Sequence, residues 1–326
     1  MKRATLHRIL AAGTALLLTA KAVCISADTQ QDFFFRVGFI NIDDSNNVCY
    51  PAAQNFREYV ENDQFAASIG ADHVEVLLGD SQSDVEKQTS VTETMLVKGV
   101  DMLFIIGVDT AGNTTAVTAC NDEDVPVFLV GTESDGGDWR FIGFDETELG
   151  RYQGEWCVDN LPENARICYL EGTPGREATI MRKQGFETAL SKRPDLVLLS
   201  SHSGDFRASE AMKVTEDWIQ AYGDEIDCIV AADGQMILGA IEALKGAQLL
   251  DSVKTCGVIA SDSEIYLMEE GSLDYAVFVY WPEIGTLCGE VARKMYLGEE
   301  PEERTNIKLH HMTSSNYKEL LAEYDD

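Results

Sequence analysis

Positive charge is scarce in this chain: 25 Lys and Arg stand against 56 Asp and Glu over 326 residues, a net charge of -31. Such a surface repels phosphate backbones and anionic headgroups, which argues against nucleic acid as a partner. Glycine-rich phosphate cradles of the G-x-x-x-x-G-K-[ST] or G-x-G-x-x-G type are absent, so no nucleotide cofactor is expected. There is no His-Glu-x-x-His set and no Cys-x-x-Cys pair, and hence no metal site is expected. The G-x-S-x-G elbow of a hydrolase is also missing, and carboxylate pairs arise by chance in so acidic a chain, so an enzyme is not expected. Long apolar runs are confined to the front of the chain, and no later segment is long enough to span a bilayer.

That front segment lacks Asp and Glu through residue 27, carries Lys2, Arg3 and Arg8, and continues into the apolar run Ile9 to Ala20. It reads as a secretory signal peptide, residues 1–27, cleaved after Ile25-Ser26-Ala27, placing the mature protein in the periplasm or on the extracellular face of the membrane. Lipid attachment at Cys24 is the alternative, though Lys21 and Val23 stand where a lipoprotein signal has Leu and a small residue. Seven widely spread cysteines follow, which in a chain this large are read as small buried hydrophobes rather than a disulfide scaffold. The pair His310-His311 points in opposite directions if extended, which favours a structural or surface role.

From Phe33 onward, short β-rich runs alternate with amphipathic stretches, beginning with Phe35 to Ile42, Ala52 to Ser68, His73 to Leu78, Val85 to Lys98 and Met102 to Ile106. The same alternation continues through Val127 to Val130, Ile167 to Glu171, Leu196 to Ser201, Cys228 to Ala231 and Lys254 to Ile259. This is the grammar of βαβ units and parallel sheets, and its length predicts two similar α/β lobes with a cleft between them. No internal sequence repeat is evident, and the tail Glu319 to Asp326 reads as a solvated acidic end. Ligands in such sheets sit beyond the carboxyl ends of the strands. Attention therefore falls on the loops Asp43 to Tyr50, Val108 to Gly112, Gly131 to Gly137, Gly172 to Arg176, Asp205-Phe206 and Ala232 to Gln235.

Four passages carry a resemblance. Lys98-Gly99-Val100-Asp101-Met102-Leu103-Phe104-Ile105-Ile106 is followed by Asp109; then come Phe144-Asp145-Glu146-Thr147-Glu148-Leu149-Gly150 and Gly172-Thr173-Pro174-Gly175 with Arg182-Lys183-Gln184-Gly185-Phe186. The last is Ala231-Ala232-Asp233-Gly234-Gln235-Met236-Ile237-Leu238-Gly239-Ala240. In this order they resemble type I periplasmic binding proteins of the simple-sugar (ribose/galactose-binding-like) group, substrate-binding components of ABC transporters, over nearly all of residues 35–300.

The resemblance implies two Rossmann-like lobes with parallel sheets joined by a three-segment hinge, with crossings near Gly143 to Asp145, near Tyr280 to Pro282 and after Gly298. The N-terminal lobe would comprise residues 34–143 and 281–305, the C-terminal lobe 144–280 and 306–326. It further implies capture of a small polar ligand, a sugar or polyol, by a monomer that delivers it to a membrane ABC permease or a chemoreceptor. A nucleoside or furanose-type signal, bound for transport or presented to a receptor, is the alternative.

Carried onto this chain, the resemblance makes Arg182 the arginine that reaches into the cleft, where a planar fork can hold hydroxyls or a carboxylate; the alternative is a surface salt bridge. Arg176 falls on a polar contact loop. Phe206 occupies the place of an aromatic that stacks on a sugar ring, as against a core-facing phenylalanine. Asp233 stands where relatives have an asparagine, so an acceptor-only group replaces an amide and favours a ligand rich in donors. Asn47 and Tyr50 correspond to an asparagine and the aromatic after it, Asp109 follows the third strand, and Tyr280 lies where relatives present an amide in the crossover. Two anchors are missing: the strand end Gly257-Val258-Ile259 carries no carboxylate unless Asp262 moves in, and Gly131-Thr132, followed by Glu133, replaces an Asp-Arg pair. Unpaired polar groups in a closed cleft cost about 1–3 kcal/mol each, so a ligand other than an ordinary hexose or ribose is expected.

Overall fold

The computed structural model describes residues 34–46 and 48–324. The expected signal segment, Cys24 and Asn47 lie outside the described residues. The first half of the chain runs β1 (Phe34–Asn41), α1 (Tyr50–Val60), α2 (Asp63–Ile69), β2 (His73–Asp80), α3 (Val85–Lys98), β3 (Met102–Ile105), α4 (Thr110–Asp122), β4 (Val127–Val130) and β5 (Arg140–Gly143). The second runs α5 (Glu146–Asn160), β6 (Arg166–Glu171), α6 (Glu177–Leu190), β7 (Val197–Ser203), α7 (Ala208–Tyr222), β8 (Cys228–Ala231), α8 (Gly234–Gly246), β9 (Lys254–Ile259), α9 (Asp262–Glu269) and β10 (Tyr275–Phe278). The chain ends with α10 (Trp281–Tyr296), β11 (Arg304–Asn306), β12 (His310–Met312) and α11 (Tyr317–Ala322).

These strands make two six-stranded sheets, ordered β11-β5-β4-β3-β1-β2 and β12-β10-β9-β8-β6-β7, parallel throughout except for β12 against β10. Setting the last strand of each sheet aside, the orders are the same, so the architecture repeats although the sequence does not. Central strands such as β3, β4 and β8 are buried along their whole length, because helices cover both faces of a parallel sheet. The edge strands β2 and β7 are half-exposed. Even the turns repeat: two consecutive residues take a left-handed backbone after each edge strand, Gln82-Ser83 after β2 and Asp205-Phe206 after β7.

Helix boundaries follow from caps. Asp84, Asp109, Asp145 and Asp233 each stand at an N-cap, where the side chain accepts a backbone N–H of the first turn. Ala52 to Ser68, which reads as one amphipathic stretch, is instead two helices. Asn62 interrupts it by capping α2 through an N–H bond from Phe65.

Three passages carry the chain between the sheets: after β5, between β10 and α10, and between β11 and β12. At the third, Asn306 still pairs with Gly143, so the switch falls at 307–309, just past the expected boundary at 305. Phe144 and Trp281 meet edge to face beside two of the passages, with ring centroids 6.0 Å apart. The tail is not simply a solvated end: α11 forms, and Tyr324 packs its ring 4.3 Å from Tyr280 and 5.7 Å from Phe278. The two histidines of β12 do point apart, His311 to the Tyr275 hydroxyl at 2.6 Å and His310 to the Tyr324 hydroxyl at 2.9 Å. Of the cysteines from Cys49 onward, all are free; Cys49 is half-buried and the others are buried.

Candidate functional site

A cavity of about 330 Å³ lies between the two halves at the carboxyl ends of the strands. The half built on the first sheet, which β11 joins, supplies Val108 to Ala111, Gly131 to Glu133, Asp135, Phe141 and Arg304; the half built on the second supplies Glu146, Gly175 to Ala178 and Met181. Three of the six loops singled out from sequence therefore meet here. The volume is at the small end of the range for ligand pockets and suits a molecule of monosaccharide size. A larger, open depression of about 570 Å³ beside it is built by first-half residues alone, among them Trp139, Arg140 and Pro301, so it is not shared between the halves.

The first-half wall is held from behind by a buried polar network. Gln88 on α3 donates to Asn113 Oδ1 at 3.0 Å and accepts from the Val108 N–H at 2.8 Å. Asn113 on α4 donates to Thr132 Oγ1 at 3.1 Å and to the Glu133 carbonyl at 2.8 Å. Both side chains are fully buried, and between them they tie the loop after β3 to the loop after β4. Asp109 projects from the first of these loops and caps α4 through the Gly112 N–H at 2.6 Å.

The second-half wall is organised around Arg182. Its Nε donates to Glu146 Oε2 at 2.6 Å and its Nη1 to the Ala232 carbonyl at 2.7 Å, with the two side chains only 11% and 14% exposed. Burial pulls the guanidinium pKa down, but the Glu146 carboxylate more than restores it, and the arginine stays charged. Close packing makes this possible: α5 and α6 approach so tightly that a β carbon on Gly150 would fall 1.8 Å from the Arg182 carbonyl oxygen. The ring of Phe206 lies under both guanidiniums, 5.6 Å from Arg176 and 5.8 Å from Arg182. Asp233 caps α8 through the Met236 N–H at 2.8 Å; burial pushes its carboxyl up to about 6, against the pull of that N–H and of Arg182.

Across the cavity, Glu133 pairs with Arg304 of β11 and also faces Glu177 at the start of α6. Burial, and then the hydrogen bond and charge of Glu133, push the Glu177 carboxyl up to about 7.

Asp109 and Arg176 thus line the cavity, while Arg182, Phe206 and Asp233 stand together behind its second-half wall, joined to it through Glu146 and Arg176. Tyr50 opens α1 next to Cys49, whose thiol burial pushes up to about 12 although Arg176 is near enough to lower it. Tyr280 is not among the lining residues; it stacks on Tyr324 at the second passage and its hydroxyl donates to the Tyr324 carbonyl at 3.4 Å. No residue of Gly257-Val258-Ile259 lines the cavity, and Asp262 begins α9 instead. Among the site residues that escape sequence reasoning are Gln88, Asn113, Glu146, Glu177, Arg304 and Glu264. Glu264, 1% exposed, accepts from Gln235 Nε2 at 2.8 Å and from the Ser261 N–H at 2.9 Å behind Asp233. The available signal is a polar side chain on a helix face that packs inward, as at Gln88 beside Thr92 and Met95.

Two doubly wound α/β halves, three passages between them and a shared cavity at their strand ends define a ligand-capture protein of the two-lobed kind. A family model described as a periplasmic binding protein domain matches residues 37–300, and the chain belongs to that family. The ribose import binding protein of Bacillus subtilis is 27% identical over 72% of this chain and 76% of its own length. The galactofuranose-binding protein of Escherichia coli is 32% identical over 53% of this chain and 56% of its own. Among solved structures, an ABC transporter solute binding protein from Bacillus halodurans with bound myo-inositol superposes with a TM-score of 0.79 at 28% identity, covering 91% of this chain and all of that one. The relatives so matched are binding proteins rather than enzymes.

Proposed function

We propose that this chain captures a sugar or polyol in the cavity between its halves and delivers it to an ABC permease. The observation that carries the reading is the cavity itself: it is of monosaccharide size, drawn from both halves, and lined by carboxylates and guanidiniums that can grip hydroxyl groups from two sides. The ribose-binding and inositol-bound relatives support the same class of ligand. The furanose alternative draws support from the galactofuranose-binding relative.

In this reading the halves are lobes that close by bending at the three passages. Asp109 and Arg176 contact ligand directly, Phe206 supports the guanidiniums from behind the second-half wall, and Arg182 and Asp233 hold that wall in place. By the resemblance Asn47 and Tyr50 are further ligand contacts, whereas Tyr280, which stacks on Tyr324 at the second passage, belongs to the hinge rather than the ligand shell. The protein works as an exported monomer after loss of residues 1–27, anchored by lipid at Cys24 if cleavage falls earlier, and hands its ligand to a permease or a chemoreceptor. Thermal unfolding of residues 28–326 against pentoses, hexoses, polyols and nucleosides tests the reading. A ligand at 100 times its Kd adds about 2.7 kcal/mol of stability, which a melt detects as a few degrees. Shifts only with nucleosides replace the sugar by the alternative, and silence across the panel removes both.

A further inference from the structure

Resting on the sugar or polyol reading above, we propose that the ligand is a polyhydroxylated amine, an amino sugar or amino polyol, whose ammonium group sits between Glu133 and Glu177. Five carboxylates line the cavity, Asp109, Glu133, Asp135, Glu146 and Glu177, against the two guanidiniums of Arg176 and Arg304. The cations already have duties. Arg304 pairs with Glu133, Arg182 behind the wall pairs with Glu146, and Arg176 lies over the Phe206 ring. Asp109 has the N-terminus of α4.

Glu177 is left facing another acid. It stands on the second half, Glu133 on the first, and the two meet across the cavity with Glu146 adding a third negative charge and Arg304 the nearest counter-charge. Two carboxylates brought together from opposite walls oppose closure unless something positive lies between them. A proton serves in the ligand-free protein: burial first, and then the facing Glu133 carboxylate, push the Glu177 carboxyl up to about 7. An ammonium does the same work better, because it has three N–H donors to divide between the two carboxylates, whereas a hydroxyl has one and brings no charge. Its ring hydroxyls would meet Asp109 and Arg176 on the remaining walls. The device is a selectivity filter: closing on an amine joins the lobes, and closing on a neutral sugar leaves like charges face to face.

Calorimetric titration at pH 7, where the amines still carry their proton, with matched pairs tests this: glucose and glucosamine, galactose and galactosamine, myo-inositol and an inosamine. The expected result is an amine that binds at least tenfold tighter than its hydroxyl parent, with the preference reduced at least tenfold in Glu177→Gln, a variant whose circular dichroism and melting are checked first. Replacing Glu133 by Gln gives the same loss of preference from the opposite wall. Parents that bind as tightly as their amines overturn the proposal and leave the sugar or polyol reading standing. If no member of any pair binds, both fall together.

Discussion

Phe206 lies directly on Gly172: a β carbon at that glycine would come within 2.0 Å of the ring. Phe206 reaches this position with φ at 54°, a left-handed backbone unusual for an aromatic residue and one that must be held by its surroundings. Gly172→Ala should therefore push the ring out from beneath Arg176 and Arg182 and weaken ligand binding at least tenfold. Titration calorimetry measures the affinity, and a melt shows whether the fold is kept.

The Gln88 and Asn113 network sets the spacing of the two first-half loops. Removing one buried partner leaves the others without hydrogen bonds, at a cost of about 1–3 kcal/mol for each orphaned group. Asn113→Ala should lose about 2–3 kcal/mol in urea denaturation. A loss under 0.5 kcal/mol would mean that water or a neighbour replaces the amide.

Arg182 and Glu146 form a nearly buried pair, and breaking such a pair by deleting one member strands the other charge. Arg182→Leu should destabilise by about 3–5 kcal/mol in equilibrium unfolding. The double change Arg182→Leu with Glu146→Leu should recover much of that loss, since the Glu146 charge is no longer stranded and Asp233, capping α8, loses only the arginine's field.

The same halves should respond to pH through Glu177 and Asp233. Both hold their proton more tightly folded than unfolded: Glu177 rises from 4.5 to about 7, and Asp233 from 3.8 to about 6. A raised carboxyl contributes stability that is complete below the unfolded value and is lost as pH climbs through the folded one. The contribution of these two carboxyls to the stability of the ligand-free protein should therefore fall between pH 4 and 7, against the opposite trend of lowered groups such as Glu171 and His311. It is read as the difference between wild type and Glu177→Gln, whose melting temperature should drop less with rising pH above pH 4.5. An identical slope in the variant would show that Glu177 is not under strain.

Much of the fold is legible in the residues. Met102 to Ile105, Val127 to Val130 and Cys228 to Ala231 are short unbroken apolar runs between amphipathic helices, and they become the central strands because only such strands are covered on both faces. What stays hidden is built by distant partners. Arg304 to Asn306 has no strand pattern of its own and is ordered by pairing with Phe141 to Gly143, far back in the chain. Tyr317 to Ala322 reads as part of a charged end, yet Tyr324 beyond it finds Phe278 and Tyr280. At the site, the strand-end loops can be read from the alternation alone, whereas the Glu133 and Glu177 contact depends on how two halves meet, which no local pattern records.

The central claim is that a sugar or polyol binds between the halves, and calorimetric titration of residues 28–326, wild type beside Ala178→Trp, tests it most directly. Ala178 lines the cavity at the start of α6, and an indole there fills the space without touching the polar network behind the opposite wall. The account predicts one-to-one binding of a sugar, polyol or amino derivative by the wild type, abolished in the variant. Binding that survives the tryptophan unchanged, or a wild type that takes up no such molecule, would contradict it.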